Sequence, residues 1–259
     1  MKLEKIPAET KITTLGMPRY YQGENGKAVL VLHGFTGLAD EMDYLARRLN
    51  QAGFTVSVPR LPGHGTNGKD FMQSGWRDWL RCAIDAYLEL NTRFETVYVS
   101  GLSMGGILTL LLASHFPVER IALAAPAIIN MNKMIYLSPI LRFFMRRSFV
   151  GHEEESDDPE RQHISNEYWS YRFGHQIYGL LRLQLMARRR LSRVRADSLV
   201  LVSHSDDAVP VEVADLIERR SSARSSRRIE FEQSSHIIVN DTDRERAADE
   251  IVAWFSGNP

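Results

Sequence analysis

Two hydrophobic patterns alternate along the chain. Short runs that are apolar on both faces predict buried strands, and longer segments with apolar residues at three and four spacing predict helices. The predicted strands cover residues 28–32, 54–58, 96–100, 120–124, 198–203 and 228–232. The predicted helices cover residues 40–52, 76–91, 104–116, 211–220 and 241–255. Strand and helix in repeated alternation indicate an α/β protein with a mostly parallel, doubly wound sheet covered by helices on both faces.

The alternation breaks once, between residues 127 and 196. This stretch contains no convincing strand, only helical segments such as MIYLSPILRFFMRR and YGLLRLQLMARRRL around an acidic loop, GHEEESDDPER. A helical insertion between two strands of a doubly wound sheet lies above the strand ends, where such sheets bind their ligands. We therefore predict a core formed by residues 1–126 and 197–259, with a helical cap, or lid, over residues 127–196.

Composition narrows the range of partners and locations. The chain has 259 residues, 44% of them hydrophobic, and its 32 Lys and Arg balance its 32 Asp and Glu. A neutral chain has no overall field that would attract nucleic acid, so we expect no nucleic-acid partner. The lone cysteine, Cys82, cannot form an internal disulfide. The N-terminal MKLEKIPAETK does not resemble a secretion signal, and no apolar run approaches the roughly 18 residues of a membrane span. We expect a cytoplasmic protein without stable membrane insertion, and a solvated face for the basic stretch ARRRLSRVR.

The segment VYVSGLSMGGILT, residues 97–109, places one serine between a predicted strand and a predicted helix. Glycine is costly in regular structure, so Gly101 and Gly105 on either side of Ser103 indicate an unusual backbone. A tight strand-to-helix turn crowds these two positions and lifts the serine above the carboxyl edge of the sheet. A simple turn would explain the glycines alone, whereas the position between strand and helix predicts that Ser103 is a nucleophile.

A serine nucleophile requires a histidine base and a carboxylate, which in this type of site follow the serine in the order acid, histidine. The segment HSDDAVP after the strand SLVLVS offers Asp206 and Asp207, and QSSHIIVND after RIEFE offers His236. We favour Asp206, because Asp207 is better placed to cap the next helix, whose first turn contains Pro210. His204 is the rival base, but it precedes the acid and is expected to shape the loop.

Attack by the serine creates an oxyanion, which requires two N–H donors. One expected donor is the backbone N–H of Met104, directly after the nucleophile. The other is expected in LVLHGFTG, where Gly34 keeps the loop close to the backbone and Phe35 is the second donor. Taken alone, this motif is also compatible with a simple strand-ending turn. Nucleophile, acid and base in the correct order favour the catalytic interpretation.

Together, the motifs LVLHGFTG, PRLPGHGT, GLSMGG, SDDAVP and EQSSHIIVND resemble the α/β-hydrolase fold, and within it the small bacterial carboxylesterases and monoacylglycerol lipases. The resemblance covers roughly residues 28–126 and 197–255. It implies a serine esterase with a small helical cap over an apolar acyl pocket and without a metal or organic cofactor. The implied site residues are the triad Ser103, Asp206 and His236 and the oxyanion donors Phe35 and Met104. The family's monoacylglycerol lipases hold glycerol with an acidic cap residue, whereas the matching stretch here, YRFGHQIYG, carries Arg172 and Phe173.

The expected activity is hydrolysis of short- to medium-chain acyl esters through an acyl-enzyme, and the expected partner is a small ester with an apolar acyl group. Alternatives that share the triad are a monoacylglycerol lipase, a thioesterase and a hydrolase of carbon–carbon bonds. A non-catalytic binder of hydrophobic ligands is a further alternative, although a binder has no use for the ordered triad. In the cap, MIYLSPILRFFM and residues 168–186 offer side chains for an acyl channel, but helical spacing predicts mainly packing.

Overall fold

The computed structural model describes residues 2–151 and 156–257, and its main element is a mixed sheet. Its strands, within these residues, are β1 (Arg19–Tyr21), β2 (Lys27–Leu32), β3 (Thr55–Val58), β4 (Thr96–Leu102) and β5 (Arg120–Ala124), and after a gap β8 (Asp197–Ser203) and β9 (Ser226–Phe231). In the gap, β6 (Ser148–Phe149) and β7 (Tyr171–Arg172) form a separate antiparallel pair. The spatial order is β1-β3-β2-β4-β5-β8-β9, with β1 antiparallel to β3 and every other neighbouring pair parallel.

The predicted α/β class is confirmed, and all six predicted strands occur with nearly the same bounds. β1 was missed because it is a short edge strand whose middle residue, Tyr20, is exposed. The expectation that residues 127–196 contain no strand is wrong, since β6 and β7 lie there. Strands of two residues are too short to show any hydrophobic period, so no pattern in the sequence reports them.

Helices cover both faces of the sheet. They are α1 (Asp43–Gln51), α2 (Gly68–Phe71), α3 (Trp76–Arg93), α4 (Met104–Ala113), α5 (Ser138–Leu141), α6 (Pro159–Ile164), α7 (Gly174–Arg190), α8 (Val213–Arg220) and α9 (Arg244–Ser256). Alternate residues of β2 enter two separate cores: Leu30 belongs to the core that includes residues of α3, α4, α7 and α8, and Val31 to the core that includes residues of α1 and α9. Burial on both faces explains why the central strands are apolar throughout rather than alternating.

The insertion, residues 127–196, lies against the core through α7 and the π-helical turn before β7. α7 packs on α4, and its Gln184 donates from Nε2 to the carbonyl of Ala127 at 2.6 Å. Tyr168 donates its hydroxyl to the carbonyl of Gly63 and accepts the N–H of Thr66, each at 2.8 Å. Among the described helices, none has both the length and the apolar character that crossing a bilayer requires.

Candidate active site

Because β2, β4, β5, β8 and β9 are parallel, their carboxyl ends lie at one edge of the sheet. The predicted site residues follow these ends directly. Phe35 follows β2, Ser103 and Met104 follow β4, Asp206 follows β8 and His236 follows β9. The topology therefore brings all five residues to the same edge, although they are spread over most of the chain.

Ser103 occupies a strained turn between β4 and α4. Its backbone has φ 55° and ψ −112°, and its N–H donates to the carbonyl of Ala124 at 2.9 Å. A Cβ on Gly101 would lie 2.3 Å from the backbone carbon of Gly105, and one on Gly105 would lie 2.0 Å from the carbonyl oxygen of Leu32. The predicted crowding at both glycines is confirmed, because any side chain there would displace the backbone.

Left-handed backbone is concentrated at this edge. In the described part of the chain, the non-glycine residues with positive φ are Thr36 (58°), Ser103 (55°) and Ala125 (42°). They follow the carboxyl ends of β2, β4 and β5 respectively. Such conformations cost on the order of 1–3 kcal/mol each and persist where the surrounding structure holds them, most often at functional sites.

His236 and Asp206 are joined by a hydrogen bond between Nδ1 and Oδ2 of 2.8 Å. The Asp206 side chain is 1% exposed, and its other oxygen accepts the N–H groups of Ala208 at 2.8 Å and Val209 at 2.9 Å. A carboxylate only accepts, so His236 donates from Nδ1, and in the neutral ring Nε2 then carries the lone pair. The ring is therefore oriented and in the tautomer that a general base requires.

The two alternative residues after β8 lie outside this pair. His204 places Nε2 2.6 Å from Oε2 of Glu230, and its side chain is 43% exposed. The expectation that Asp207 caps α8 is wrong, because α8 begins at Val213 with Glu212 at the N-cap position. In the turn before the helix, the N–H groups of Ala208 and Val209 are taken by Asp206 rather than by Asp207.

The loop carrying His236 is anchored to the residues just before α9. The N–H of Ser235 donates to Oδ2 of Asp241 at 2.6 Å, and this hydrogen bond lowers the pKa of the Asp241 carboxyl. The hydroxyl of Ser234 donates to Oδ2 of Asp243 at 2.8 Å, and the carbonyl of Ser234 accepts the buried hydroxyl of Ser203. These bonds fix the loop on both sides of the histidine.

The loop after β2 contacts the nucleophile. A Cβ on Gly34 would lie 3.5 Å from Cβ and 4.0 Å from Oγ of Ser103, so the loop backbone passes directly beside the serine. Gly37 donates its N–H to the carbonyl of Gly34 at 3.2 Å, which places Phe35 and Thr36 at the centre of a tight turn. Met104 is the first residue of α4, where backbone N–H groups have no partner within the helix. Met104 therefore adjoins Ser103 in the chain, and Phe35 directly follows Gly34, whose backbone lies beside the serine.

Aromatic side chains support the Phe35 side of this loop. The Phe35 ring packs edge-on against Phe71 and Trp79, with centroids 5.6 and 5.8 Å away. His64 joins the same cluster, 4.9 Å from Phe71, between Gly63 and Gly65, which have φ of 80° and 68°. The two glycines thus form a turn around His64, which is buried and packs against the aromatic residues that support the loop.

His33 is a site residue that the sequence analysis did not identify. It is fully buried, with Nδ1 3.0 Å from the carbonyl of Gly34 and Nε2 accepting the N–H of Leu61 at 3.1 Å. Burial lowers its pKa to about 4, so the ring is neutral near pH 7 and donates from Nδ1. It thus ties the loop after β2 to the loop after β3. The sequence indicates the role of His33 only through its position, as a polar residue directly after the apolar strand β2.

The depressed pKa of His33 predicts acid destabilisation. As the pH falls, the His33 imidazole takes up a proton near pH 6.5 in the unfolded chain but only near pH 4 in the folded chain. Lowering the pH from about 6.5 to about 4 therefore reduces the free energy of unfolding by roughly 3 kcal/mol in total. We expect His33→Gln to be less stable than the native chain near pH 7.5, by about 1–3 kcal/mol, because buried hydrogen bonds are lost. The difference should shrink by about pH 4.5. Urea unfolding at both pH values checks this, and an unchanged difference would contradict the assignment.

Glu41 lies beside the same loop. Its Oε2 is 2.5 Å from the position that a Cβ on Gly37 would occupy. Burial raises its pKa to about 7, although a backbone hydrogen bond from Leu38 and the charge of His236 act in the opposite direction. The carboxyl is therefore held in a position that disfavours its ionised form.

The raised pKa of Glu41 predicts destabilisation by base. As the pH rises, the Glu41 carboxyl ionises near pH 4.5 in the unfolded chain but only near pH 7 in the folded chain. The free energy of unfolding therefore decreases between these two pH values and reaches its full loss above about pH 7. We expect Glu41→Gln to gain on the order of 1–3 kcal/mol relative to the native chain between about pH 5 and about pH 8.5. Exposed Glu218 on α8 provides the control, because Glu218→Gln should show no such gain. Equal stability differences at both pH values would refute the expected cost.

Comparison with known proteins places this architecture in a family. The model of the Hydrolase_4 family, described as serine aminopeptidase S33, matches residues 23–243. The thermostable monoacylglycerol lipase of Bacillus sp. (strain H-257) is 29% identical over 242 residues, which cover 91% of this chain and 93% of that protein. A carboxylesterase of Bacillus subtilis (strain 168) is 26% identical over 221 residues, which cover 85% of this chain and 88% of the relative.

A solved structure supports the same family assignment. It comes from work on the metagenome-derived lipolytic enzymes LipS and LipT, and it matches with a TM-score of 0.85 and 26% identity, covering 95% of this chain and 100% of the other. The expected resemblance to small bacterial carboxylesterases and monoacylglycerol lipases is thereby confirmed. With a family model matched over most of its length, the chain belongs to the Hydrolase_4 family of serine hydrolases with the α/β-hydrolase fold.

Proposed function

We propose that the chain is a serine carboxylesterase that hydrolyses short- to medium-chain acyl esters through an acyl-enzyme on Ser103. One observation carries the proposal. A strained serine on the turn after β4 shares its sheet edge with a buried Asp206 that holds His236 through a 2.8 Å hydrogen bond. The similarity to a carboxylesterase and a monoacylglycerol lipase supports ester chemistry for this site.

In the proposed acylation step, Ser103 Oγ attacks the ester carbonyl carbon while Nε2 of His236 takes the hydroxyl proton. The carbonyl π electrons move to the oxygen, and the backbone N–H groups of Phe35 and Met104 stabilise the oxyanion. Asp206 stabilises the imidazolium that forms, without itself taking the proton. When the carbonyl re-forms, the carbon–oxygen bond to the alcohol breaks, and the imidazolium donates its proton to the departing oxygen.

Deacylation repeats the sequence with water as the nucleophile. His236 takes a proton from water, and the hydroxide attacks the acyl carbon of the Ser103 ester. The second oxyanion collapses, the serine oxygen leaves with the proton from the imidazolium, and the carboxylic acid is released. Side chains and backbone of this protein carry each proton and stabilise each charge, so we propose no metal or organic cofactor.

We further propose that residues 127–196 form a cap over an apolar acyl site on a core of residues 1–126 and 197–259. Trp169 donates from Nε1 to the carbonyl of Thr36 at 3.3 Å, which joins the insertion to the loop that carries Phe35. Ala127, the first residue of the insertion, donates its N–H to the carbonyl of Ser103 at 3.1 Å. The insertion therefore begins beside the nucleophile and returns to the loop that carries Phe35.

A panel of p-nitrophenyl esters and acyl thioesters of graded chain length tests this function. We expect the highest kcat/KM for short- and medium-chain esters, lower values for long-chain esters, and lower values for thioesters of matched acyl length. A preference for thioesters would assign the chain to the thioesterases instead. Binding of the acyl compounds without turnover of any of them would refute the proposed enzyme in favour of a hydrophobic-ligand binder.

A monoacylglycerol lipase is the second candidate, favoured by the relative of that name. A carboxylate of the insertion that has no other hydrogen-bond partner could accept hydrogen bonds from the glycerol hydroxyls. Two of its carboxylates have other partners: Glu160 accepts the N–H of Thr14 at 2.8 Å, and Glu167 accepts the N–H of Gly68 at 2.9 Å. We therefore expect similar kcat/KM for a monoacylglycerol and for the ethyl ester of the same acid, and a strong preference for the glycerol ester would favour the second candidate.

A further inference from the structure

One segment of the insertion has its hydrophobic side facing solvent. Residues 133–141 form a 3-10 turn followed by α5, in which Ile135 and Ser138 are buried. On the opposite side, large apolar residues recur at helical spacing into the turn after α5. We call these residues, with the adjacent Phe143, the outward stripe; they are Met134 (57% exposed), Leu137 (46%), Ile140 (63%), Phe143 (71%) and Phe144 (82%).

The outward stripe differs from ordinary surface exposure. Single exposed apolar residues are normal, as with Leu88 on α3, but a contiguous exposed apolar patch marks an interaction site. Most of the exposed large hydrophobic residues in the described chain fall between residues 131 and 150. The expectation that MIYLSPILRFFM mainly packs is therefore wrong for Phe143 and Phe144, whose rings lie outside the core.

Basic residues lie in the stripe segment and in α7, which packs against it. Residues 129–150 contain Lys133, Arg142, Arg146 and Arg147 without any Asp or Glu, and residues 174–196 contain six arginines without an acidic residue. The two segments meet: the Arg142 guanidinium lies 4.6 Å from the Phe143 ring and 3.8 Å from the Tyr178 ring of α7. Residues 127–196 as a whole contain 12 Lys and Arg against seven Asp and Glu, so the insertion is positive although the whole chain is neutral.

The chain segment that leads into the stripe begins close to the site described above. The N–H of Met131 donates to the carbonyl of Ala208 at 2.9 Å, and Ala208 in turn donates its N–H to Oδ1 of Asp206. A surface bound to the stripe would therefore lie beside the insertion's entry into the site. An ester with an apolar acyl group partitions into lipid, so a lipid surface at this position would supply substrate directly.

We propose that the outward stripe docks the protein peripherally on an anionic phospholipid surface. Phe143 and Phe144 enter the boundary between headgroups and acyl chains. Arginines such as the exposed Arg146, and Arg188, which donates to the Tyr136 hydroxyl, bind headgroup phosphates, whereas Arg147 is already paired with Glu167. Apolar contact and electrostatic attraction act together, and neither requires a spanning helix. The choice of lipid over a protein partner rests on the proposed function and on the positive charge, which complements anionic headgroups.

Vesicle sedimentation with the Ser103→Ala protein tests the docking without hydrolysis. The vesicles are phosphatidylcholine alone, or phosphatidylcholine with about one third phosphatidylglycerol. We expect strong binding to the anionic vesicles, weak binding to the neutral ones, and loss of most anionic binding when NaCl is raised from about 0.05 to about 0.5 M. Equal binding to both vesicles at low salt, or no binding to either, would overturn the proposal.

Substitutions separate the two contributions. Phe143→Ser with Phe144→Ser should weaken binding to anionic vesicles by about tenfold or more, since apolar insertion is lost. Arg146→Gln with Arg188→Gln, whose side chain donates to the Tyr136 hydroxyl, should weaken it by about fivefold for each arginine, on anionic vesicles only. Matched controls away from the stripe, Leu88→Ser and the pair Arg220→Gln with Arg224→Gln, should stay within about twofold of the parent.

Two outcomes distinguish this proposal from its rivals. If the Phe143 and Phe144 substitutions leave vesicle binding intact but abolish self-association in sedimentation velocity, the stripe is an interface between two copies and the lipid proposal is wrong. Turnover of a soluble short-chain ester should be unchanged in this variant when Ser103 is present. Vesicle binding that persists in a chain without esterase activity would refute the proposed function while leaving the docking intact.

Discussion

Replacing Ser103 with alanine is expected to lower kcat/KM for a short-chain p-nitrophenyl ester by on the order of 10⁴-fold or more. The hydroxyl is the proposed nucleophile of both half-reactions, and neither the oxyanion donors nor the His236–Asp206 pair can replace it. Steady-state hydrolysis corrected for the spontaneous rate measures the loss. Circular dichroism should show a native fold, because the substitution adds no atoms at the crowded turn.

Ser100 provides a matched control for this substitution. It lies in β4 only a few residues earlier, is buried, and its hydroxyl has no hydrogen-bond partner in the described structure. Ser100→Ala should therefore retain native turnover. Native turnover by Ser103→Ala, or an equal loss in both variants, would remove the nucleophile from the proposed site.

Asp206→Asn is expected to lower kcat by about 10³- to 10⁴-fold, whereas Asp207→Asn should change it by less than about threefold. An amide at position 206 presents a donor to Nδ1, favours the wrong imidazole tautomer and no longer stabilises the imidazolium. Both substitutions preserve side-chain size, and the adjacent position tests for general loop damage. Hydrolysis of the same ester by both variants makes the comparison, and the reverse ranking would transfer the acid role to Asp207.

The six long strands could be predicted because burial on both faces makes them apolar throughout, and the nucleophile turn because its crowding demands glycine at fixed positions. Two-residue strands such as β6 carry no period, so their pairing depends on tertiary contacts. The positive φ angles of Thr36 and Ala125 could not be predicted either, because neither residue is glycine and the surrounding structure imposes their conformation. His33 shows the same limit, because the sequence does not indicate that its ring bridges two loops.

The direction of a helical face is a further limit of the sequence. The spacing of Leu137, Ile140 and Phe144 predicts an apolar face, but periodicity is the same whether that face meets the core or the solvent. The sequence analysis favoured packing, which is the usual outcome, but the structure leaves these three side chains exposed to solvent. The cap assignment of Asp207 failed at a different point, because α8 begins only at Val213 and Asp206 accepts the N–H groups of the turn before it.

Labelling with a fluorophosphonate probe, followed by intact-mass measurement and peptide mapping, tests the central claim most directly, because the probe forms a stable bond only with an activated serine. We predict one adduct per chain, located on Ser103, absent from Ser103→Ala and formed far more slowly in His236→Ala. An unlabelled protein, or an adduct on any other residue, would contradict the proposal that Ser103, His236 and Asp206 act as one catalytic unit.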